Sequence, residues 1–488
     1  MPQLTISRAI SWLAAQHPQR LAVRDDELAL TRHELDAKSN SLARAYASLG
    51  VGRDDLVTLS LPNSVEFVVA CVAIWKLGAT PQPLSPRLPI EERRAIVELA
   101  DSALVVGAIP NEFPGRQILE AGFEPRGSTA ELPNAAATSW KAPTSSGSTG
   151  HPKIVLAAAS ATIDLQQRVA EFIPREAVQL VAGPLTHSAP FTYAMRGLMT
   201  GHSLVVLPRF DERRVLDSID AHAITWLMLV PTMMNRILNL PKAVRDGASL
   251  ASLESFVHLG APCDPQLKRA FIDWLGPERV VELYAGTESS GLTMITGEEW
   301  LEHPGSVGRP IGGSRMRVVD EHGNELPPGQ VGRIEMTRDG GPTYRYLGRD
   351  APTATWSTLG DRGLLDEDGY LWVIDREDDL IVSGSVTVYP IEVERMLERH
   401  PLVRSAVAFG VADAELGSRI HAMVDVAEAA LTLDDLQLWL SSRLDHEKLP
   451  RVIEIVHDPL RDDAGKVRRS LLSRERAASP SVARTARN

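Results

Sequence analysis

Short apolar runs alternate with amphipathic segments along most of this chain, and that alternation limits the folds open to it. Residues 56–61, 103–106, 179–181, 204–207, 224–230 and 280–283 are such runs. Strands that are apolar on both faces need cover on both, which is the arrangement of a largely parallel sheet between helices. The pattern predicts an α/β fold. Leu21-Ala22-Val23 and Leu28-Ala29-Leu30 flank Asp25-Asp26 and predict a hairpin. Thr31 and Glu34 make a capping box, apolar positions 35, 42, 46 and 49 follow at helical spacing, and Gly50 ends the helix. The longest apolar run, 67–75, predicts a buried helix too short to span a bilayer. Residues 122–140, rich in Ala, Pro, Ser and Gly, predict a loop.

At 488 residues the chain is too long for one ordinary core, so two or more domains are expected. The character changes after Arg376. Residues 390–399 and 433–444 read as helices, and 403–409, 421–426 and 452–456 as strands. These form a small α+β unit. The last residues, 475–488, predict a disordered tail. A net charge of −12 argues against nucleic-acid binding but not against a local basic pocket. Cys71 and Cys263 are too few for a disulfide framework, and no basic-apolar leader opens the sequence, so a cytoplasmic location is expected. No internal repeat is present.

The most informative stretch is Thr144-Ser145-Ser146-Gly147-Ser148-Thr149-Gly150-His151-Pro152-Lys153. Glycines let backbone amides approach an anion, hydroxyls add donors, and the lysine adds a point charge. That is the chemistry of a loop around a polyphosphate. It is not a GxxxxGK[ST] loop, because Lys153 follows His151-Pro152. Composition alone also fits a flexible linker.

The string resembles the phosphate loop of adenylate-forming enzymes: acyl-CoA synthetases, luciferases and the adenylation domains of peptide synthetases. Further matches follow in family order from about residue 20 to about residue 470. The resemblance implies a large N-terminal domain of αβ-layered subdomains with mainly parallel sheets (1–376), a hinge at Asp378 and a small mobile α+β C-terminal domain (379–474). Tyr284-Ala285-Gly286-Thr287-Glu288 resembles the family's Tyr-Gly-x-Thr-Glu motif, with Ala285 for the first glycine. It implies Tyr284 stacked on adenine, Thr287 at the α-phosphate and Glu288 on Mg²⁺, a cation that suits a carboxylate. Gly260-Ala261-Pro262 resembles the strand end at the adenine pocket. Leu359-Gly360-Asp361 resembles Thr-Gly-Asp, placing Asp361 on the ribose diol with Arg376 as the second ribose contact.

His187 falls at the family's aromatic gate beside the carboxylate site. Gly384 falls at the tunnel for the pantetheine arm of CoA, although Ser385 replaces a frequent second glycine. Lys466 closes Leu460-Arg461-Asp462-Asp463-Ala464-Gly465-Lys466, which resembles Pro-x-x-x-x-Gly-Lys. Carboxylate and α-phosphate are both negative, so their reaction needs a cation, and Lys466 is the catalytic candidate. A surface lysine beside Arg468 and Arg469 is the bland alternative. The implied reaction makes an acyl-AMP from ATP and a carboxylic acid with Mg²⁺, then passes the acyl group to CoA. The strings around His258–Cys263 and Leu275–Arg279 resemble members that take bulky hydrophobic acids of terpenoid, sterol or bile-acid type, and Gly260, Ala261, Ala285 and Gly286 leave space for one. Two other readings stay open: delivery to an amine or a carrier protein, and a nucleotide-binding scaffold without catalysis. No membrane span and no nucleic-acid partner are expected, and a homodimer is left open.

Overall fold

The computed structural model describes residues 3–145, 152–166, 169–383, 386–413, 416–426, 431–462 and 465–478. Its centre is a nine-stranded sheet. In spatial order it runs Arg309–Pro310, Leu292–Thr296, Val280–Ala285, Ser255–His258, Trp226–Leu229, Val178–Val181, Ser203–Val206, Leu21–Arg24 and Ala29–Thr31. The six strands from Val280–Ala285 to Leu21–Arg24 are parallel, and antiparallel strands close both edges. A second, wholly parallel sheet is ordered Thr80–Pro83, Leu56–Leu59, Leu104–Val106, Ile118–Leu119. The expected α/β architecture with mainly parallel sheets is present.

Local signals placed these elements closely. The hairpin forms, the Thr31–Glu34 capping box starts the helix Arg32–Ser48, and Gly50 turns beyond it with φ +94°. The apolar run lies in the helix Val65–Lys76, buried at every residue except Glu66, as an all-round apolar helix must be. Lys76 is tolerated there because its Nζ donates to Asp36 Oδ1 and Asn40 Oδ1, both at 2.7 Å.

The sequence reading did not resolve a four-stranded antiparallel sheet, Ser314–Val319, Gly332–Arg338, Asp361–Leu365 and Leu371–Arg376. Ile334 and Met336 are buried between less buried Arg333 and Glu335, the alternation of a half-covered strand. This sheet carries Asp361 opposite Arg376.

The small unit holds the strands Val403–Asp413, Gly417–Val426 and Val452–Val456 and the helices Pro390–Glu398 and Leu433–Ser441. Its core includes Val393, Leu397, Ala406, Ala408, Val424, Leu436 and Leu440. One expectation needs correction. Helix Arg469–Ala478 covers the first residues of the expected tail at 475–488, and it is docked on the small unit. Arg469 Nε donates to Ala408 O at 3.1 Å and Ser473 Oγ to Gly410 O at 2.6 Å. Arg-, Ala- and Ser-rich composition suggested disorder, but within that stretch Arg476 Nε donates to the two Glu454 oxygens at 2.9 and 3.0 Å.

Candidate active site

The parallel strands end at one cleft of about 2030 Å³, walled by loops of the large body and by the small unit. Loops at the carboxyl ends of parallel strands are where such sheets bind ligands. Strand Val280–Ala285 delivers Tyr284, Thr287 and Glu288 to this cleft. An added Cβ at Gly286 would sit 2.3 Å from Leu359 Cδ2, so any larger residue in the turn that carries Thr287 and Glu288 would have to displace the Leu359 side chain.

Tyr284 Oη donates to Asp361 Oδ2 at 2.6 Å, and Arg376 Nε donates to Asp361 Oδ1 at 3.2 Å. Burial pushes the Asp361 carboxyl up from its ordinary value, and Arg376 opposes that shift. Burial, then the neighbouring Asp361 charge, raise the Tyr284 phenol, so Tyr284 stays a neutral donor. Asp361 keeps acceptor capacity toward the cleft, as a diol contact requires.

The phosphate-loop stem stands beside Glu288. Strand Lys153–Ala157 pairs with Thr144–Ser145 on one side and Tyr344–Tyr346 on the other. Tyr346 Oη donates to Glu288 Oε1 at 3.0 Å, and Lys153 Nζ lies 5.3 Å from the centre of the Tyr346 ring. Thr144 Oγ1 accepts from Gln82 Nε2 at 2.9 Å. Ser145 and Lys153 line the same cleft as Tyr284 and Asp361. Ser146, Gly147, Ser148, Thr149 and Gly150 lie outside the described residues, as does Gly384. Tyr346 was not singled out from the sequence; an isolated Tyr-Arg-Tyr strand carries no signal of its target.

Among the described residues no cluster of three or more His, Cys, Asp or Glu side chains could hold a metal by itself. Glu288 is a single carboxylate beside the phosphate-loop stem. That donor set fits a Mg²⁺ held largely by substrate phosphates, which keeps few protein ligands.

Gly260, in the left-handed region at φ +93°, turns the chain after Ser255–His258, and Gly260, Ala261 and Pro262 line the cleft. His187 precedes helix Ser188–Met199, and its Nε2 lies 3.9 Å from Asp462 Oδ2 of the small unit. Asp378 sits in a single 3₁₀ turn, Glu377–Asp379, between the two bodies.

Lys466 reaches the cleft from the far side. Asp462 and Lys466 close a turn, with Lys466 N donating to Asp462 Oδ1 and Asp462 N to Lys466 O, each at 2.9 Å. Gly465, at φ +75°, presses on the large body. A Cβ there would lie 3.1 Å from Thr232 Oγ1. Cleft water reaches Lys466, yet the surrounding walls lower its ammonium pKa; Asp462 opposes that shift, Arg376 adds to it and Glu288 opposes it. The described structure therefore brings Lys466, Glu288, Arg376 and Asp361 to one cleft.

Contacts between the bodies fix this arrangement. Arg468 donates to both Glu92 oxygens at 2.8 and 3.0 Å, a bidentate pair 376 positions apart in sequence. Asp375 Oδ2 accepts from Ile391 N at 3.2 Å; burial drives its carboxyl up to about 6. Arg468→Glu should slow acid-dependent pyrophosphate exchange about two- to fivefold, given the weak energetics of partly exposed pairs. Adding Glu92→Arg should restore the rate. Unchanged exchange in the single variant would show that the pair does not hold the bodies together.

Two αβ-layered bodies with these strand-end loops form the architecture of an adenylate-forming enzyme. The chain belongs to the AMP-binding enzyme family: the family's sequence model matches residues 10–341, and that of the AMP-binding enzyme C-terminal domain matches 392–466. It is 29% identical to a 2-succinylbenzoate–CoA ligase of Bacillus licheniformis, over 95% of this chain and 99% of the relative. It is 30% identical to a feruloyl-CoA synthase of an Amycolatopsis species, over 93% and 95%. An O-succinylbenzoate coenzyme A synthetase from Bacillus subtilis, solved with ATP and magnesium ion, superposes with a TM-score of 0.80 at 25% identity, covering 95% of this chain and 98% of that one.

Proposed function

We propose that Lys466, Glu288, Asp361, Arg376 and the phosphate loop are the machinery that activates a bulky, largely hydrophobic carboxylic acid in this cleft. The chain is an ATP-dependent, AMP-forming acid–CoA ligase that works through an acyl-adenylate, with ATP, Mg²⁺ and CoA as its co-substrates. The observation that supports the site assignment most strongly is that Lys466, Glu288 and the Tyr284–Asp361–Arg376 cluster face one cleft together with Ser145 and Lys153.

In this reading Tyr284 and Gly260-Ala261-Pro262 receive the adenine, and Asp361 and Arg376 the ribose. The phosphate loop and Lys153 receive the triphosphate. The acid's carboxylate oxygen attacks the α-phosphorus and pyrophosphate leaves. Lys466, lining the same cleft as Glu288 and Arg376, offsets the charge gathered there, and fixed orientation replaces much of the entropy of collision. Mg²⁺ on Glu288 would neutralise phosphate charge. The second step would follow rotation about Asp378, which withdraws Lys466 and brings Gly384 to the carbonyl. Tyr193, Met233, Leu259, Cys263 and Leu283 on the cleft wall supply apolar surface for the acid's body, which aromatic or alicyclic acids would fill. The relatives' acids, 2-succinylbenzoate and ferulate, fit that size range.

ATP–pyrophosphate exchange across aliphatic, aromatic and polycyclic acids, followed by thioester formation with CoA, tests the reading. Exchange should depend on a bulky acid, and the thioester should form without any carrier protein. Exchange best supported by short aliphatic acids would refute the substrate class. Amide formation with no thioester would refute CoA as acceptor.

A further inference from the structure

Three lysines are buried in the described structure, Lys76, Lys141 and Lys268. Two have a carboxylate at salt-bridge distance: Lys76 with Asp36 at 2.7 Å and Lys268 with Glu282 at 2.5 Å. Lys141 has none among the described residues. Its Nζ makes one hydrogen bond, to Thr192 Oγ1 at 2.6 Å, and lies 5.2 Å from the centre of the Trp140 ring. A protonated amine has three donors, so two remain unused.

A charge 5% exposed with only a hydroxyl and a ring face beside it is costly unless a counter-charge arrives. The surroundings add to the cost. Arg196 places its guanidinium 4.7 Å from the same Trp140 ring. Burial, then Arg196, lower the Lys141 ammonium to about 7; the Glu288 carboxylate acts through space in the other direction. Burial and then Arg338 lower Arg196 as well, to about 10. Two cations thus share one aromatic ring, and neither forms an ion pair within the described structure.

Lys141 opens on the cleft, and its partner Thr192 lies on helix Ser188–Met199, one turn beyond His187 at the gate. Thr192 and Tyr193 line the cleft beside it. The unpaired donors therefore stand on the wall given to the acid. We propose that Lys141 and Thr192 form an anion subsite, so that the preferred acid carries a second carboxylate-like group besides the one that is activated. This inference rests on the acid-activating reading of the cleft and narrows it: an apolar body with an anionic far end. A basic residue in an Ala- and Pro-rich stretch gave no sign of this in the sequence.

The test uses acid-dependent ATP–pyrophosphate exchange with the full chain, comparing aromatic or alicyclic dicarboxylic acids with their monoesters of matched size. The wild-type chain should prefer the diacid by roughly 10- to 100-fold in kcat/KM, the range of a hydrogen bond to a charged group. Lys141→Met should bring the diacid down to the monoester's level through KM, with the KM for ATP little moved. Lys141→Arg should keep the preference. Thr192→Val should weaken it, which keeps the test open if Lys141→Met does not fold. Equal use of diacid and monoester by the wild-type chain would overturn the inference and leave acid activation intact. So would a Lys141→Met effect that falls on the KM for ATP with every acid, which would place the ammonium on phosphate. No exchange with any acid would instead refute the underlying reading.

Discussion

Replacing Lys466 by alanine should lower acid-dependent ATP–pyrophosphate exchange by about 10²- to 10³-fold, the loss typical of one preorganised donor to developing charge. Thioester formation from a supplied acyl-adenylate and CoA should change much less. The asymmetry follows from position. The turn Asp462–Lys466 is bonded to itself and pressed on Thr232 through Gly465, so Lys466 is set in the cleft near Glu288 and Arg376. On the proposed reading that placement would serve the step at phosphorus. It has no evident part in attack by a thiol on a carbonyl, for which the small unit must present another surface. The lowered pKa does not leave the lysine neutral in turnover. Triphosphate would add negative charge beside it and return its affinity for the proton. Rapid-quench measurement of both half-reactions gives the result. Equal losses in the two would show that Lys466 serves both steps or supports the fold, and the assignment would fail.

Local physics was legible in the sequence and distant physics was not. The capping box at Thr31 and Glu34, the apolar strands and the helix Val65–Lys76 depend on neighbours within a few residues, so period and composition were enough. Tyr284, Asp361 and Arg376 came by another route, the resemblance of their strings to the family's motifs, and the structure gathers the three on one cleft. Glu92 and Arg468 look like ordinary solvated charges until the fold brings them to 2.8 Å. Lys141 looks like a loop lysine until Trp140 and Thr192 bury it. The strand Tyr344–Tyr346 shows its purpose only when it pairs beside the phosphate stem. Composition misled at residues 475–478, where Arg476, part of the stretch that suggested a free tail, donates to Glu454 from a helix also fastened through Arg469 and Ser473.

Substituting Glu394 by alanine should cost the small unit about 3–5 kcal/mol, the penalty for breaking a buried charge network by removing one member. Glu394 is fully buried, and both its oxygens are used. Oε1 accepts from Ala408 N at 2.9 Å and from Arg469 Nη2 at 2.7 Å; Oε2 accepts from Arg461 Nη2 at 2.8 Å. Burial would raise this carboxyl, but Arg469, Arg461 and the Ala408 amide outweigh it and hold the group below the usual glutamate range. A folded-state pKa below the unfolded one stabilises above the unfolded value and loses that contribution as pH falls through the folded one. The acid limb of small-unit stability should therefore flatten in Glu394→Ala. Hydrogen exchange across residues 403–426 reads the change locally, where a single global unfolding midpoint for two bodies would not. The consequence extends to catalysis, because Arg461 opens the turn that holds Lys466 and Arg469 Nη1 donates to Asp379 Oδ2 at 2.6 Å beside the hinge. One carboxylate thus ties the turn that carries Lys466 and the turn Glu377–Asp379 to the same core. Glu394→Ala should depress pyrophosphate exchange more than thioester formation from a supplied adenylate. Unaltered exchange protection at Ala406 and Ala408, or an unaltered ratio of the two half-reactions, would separate the network from the lysine it is argued to hold.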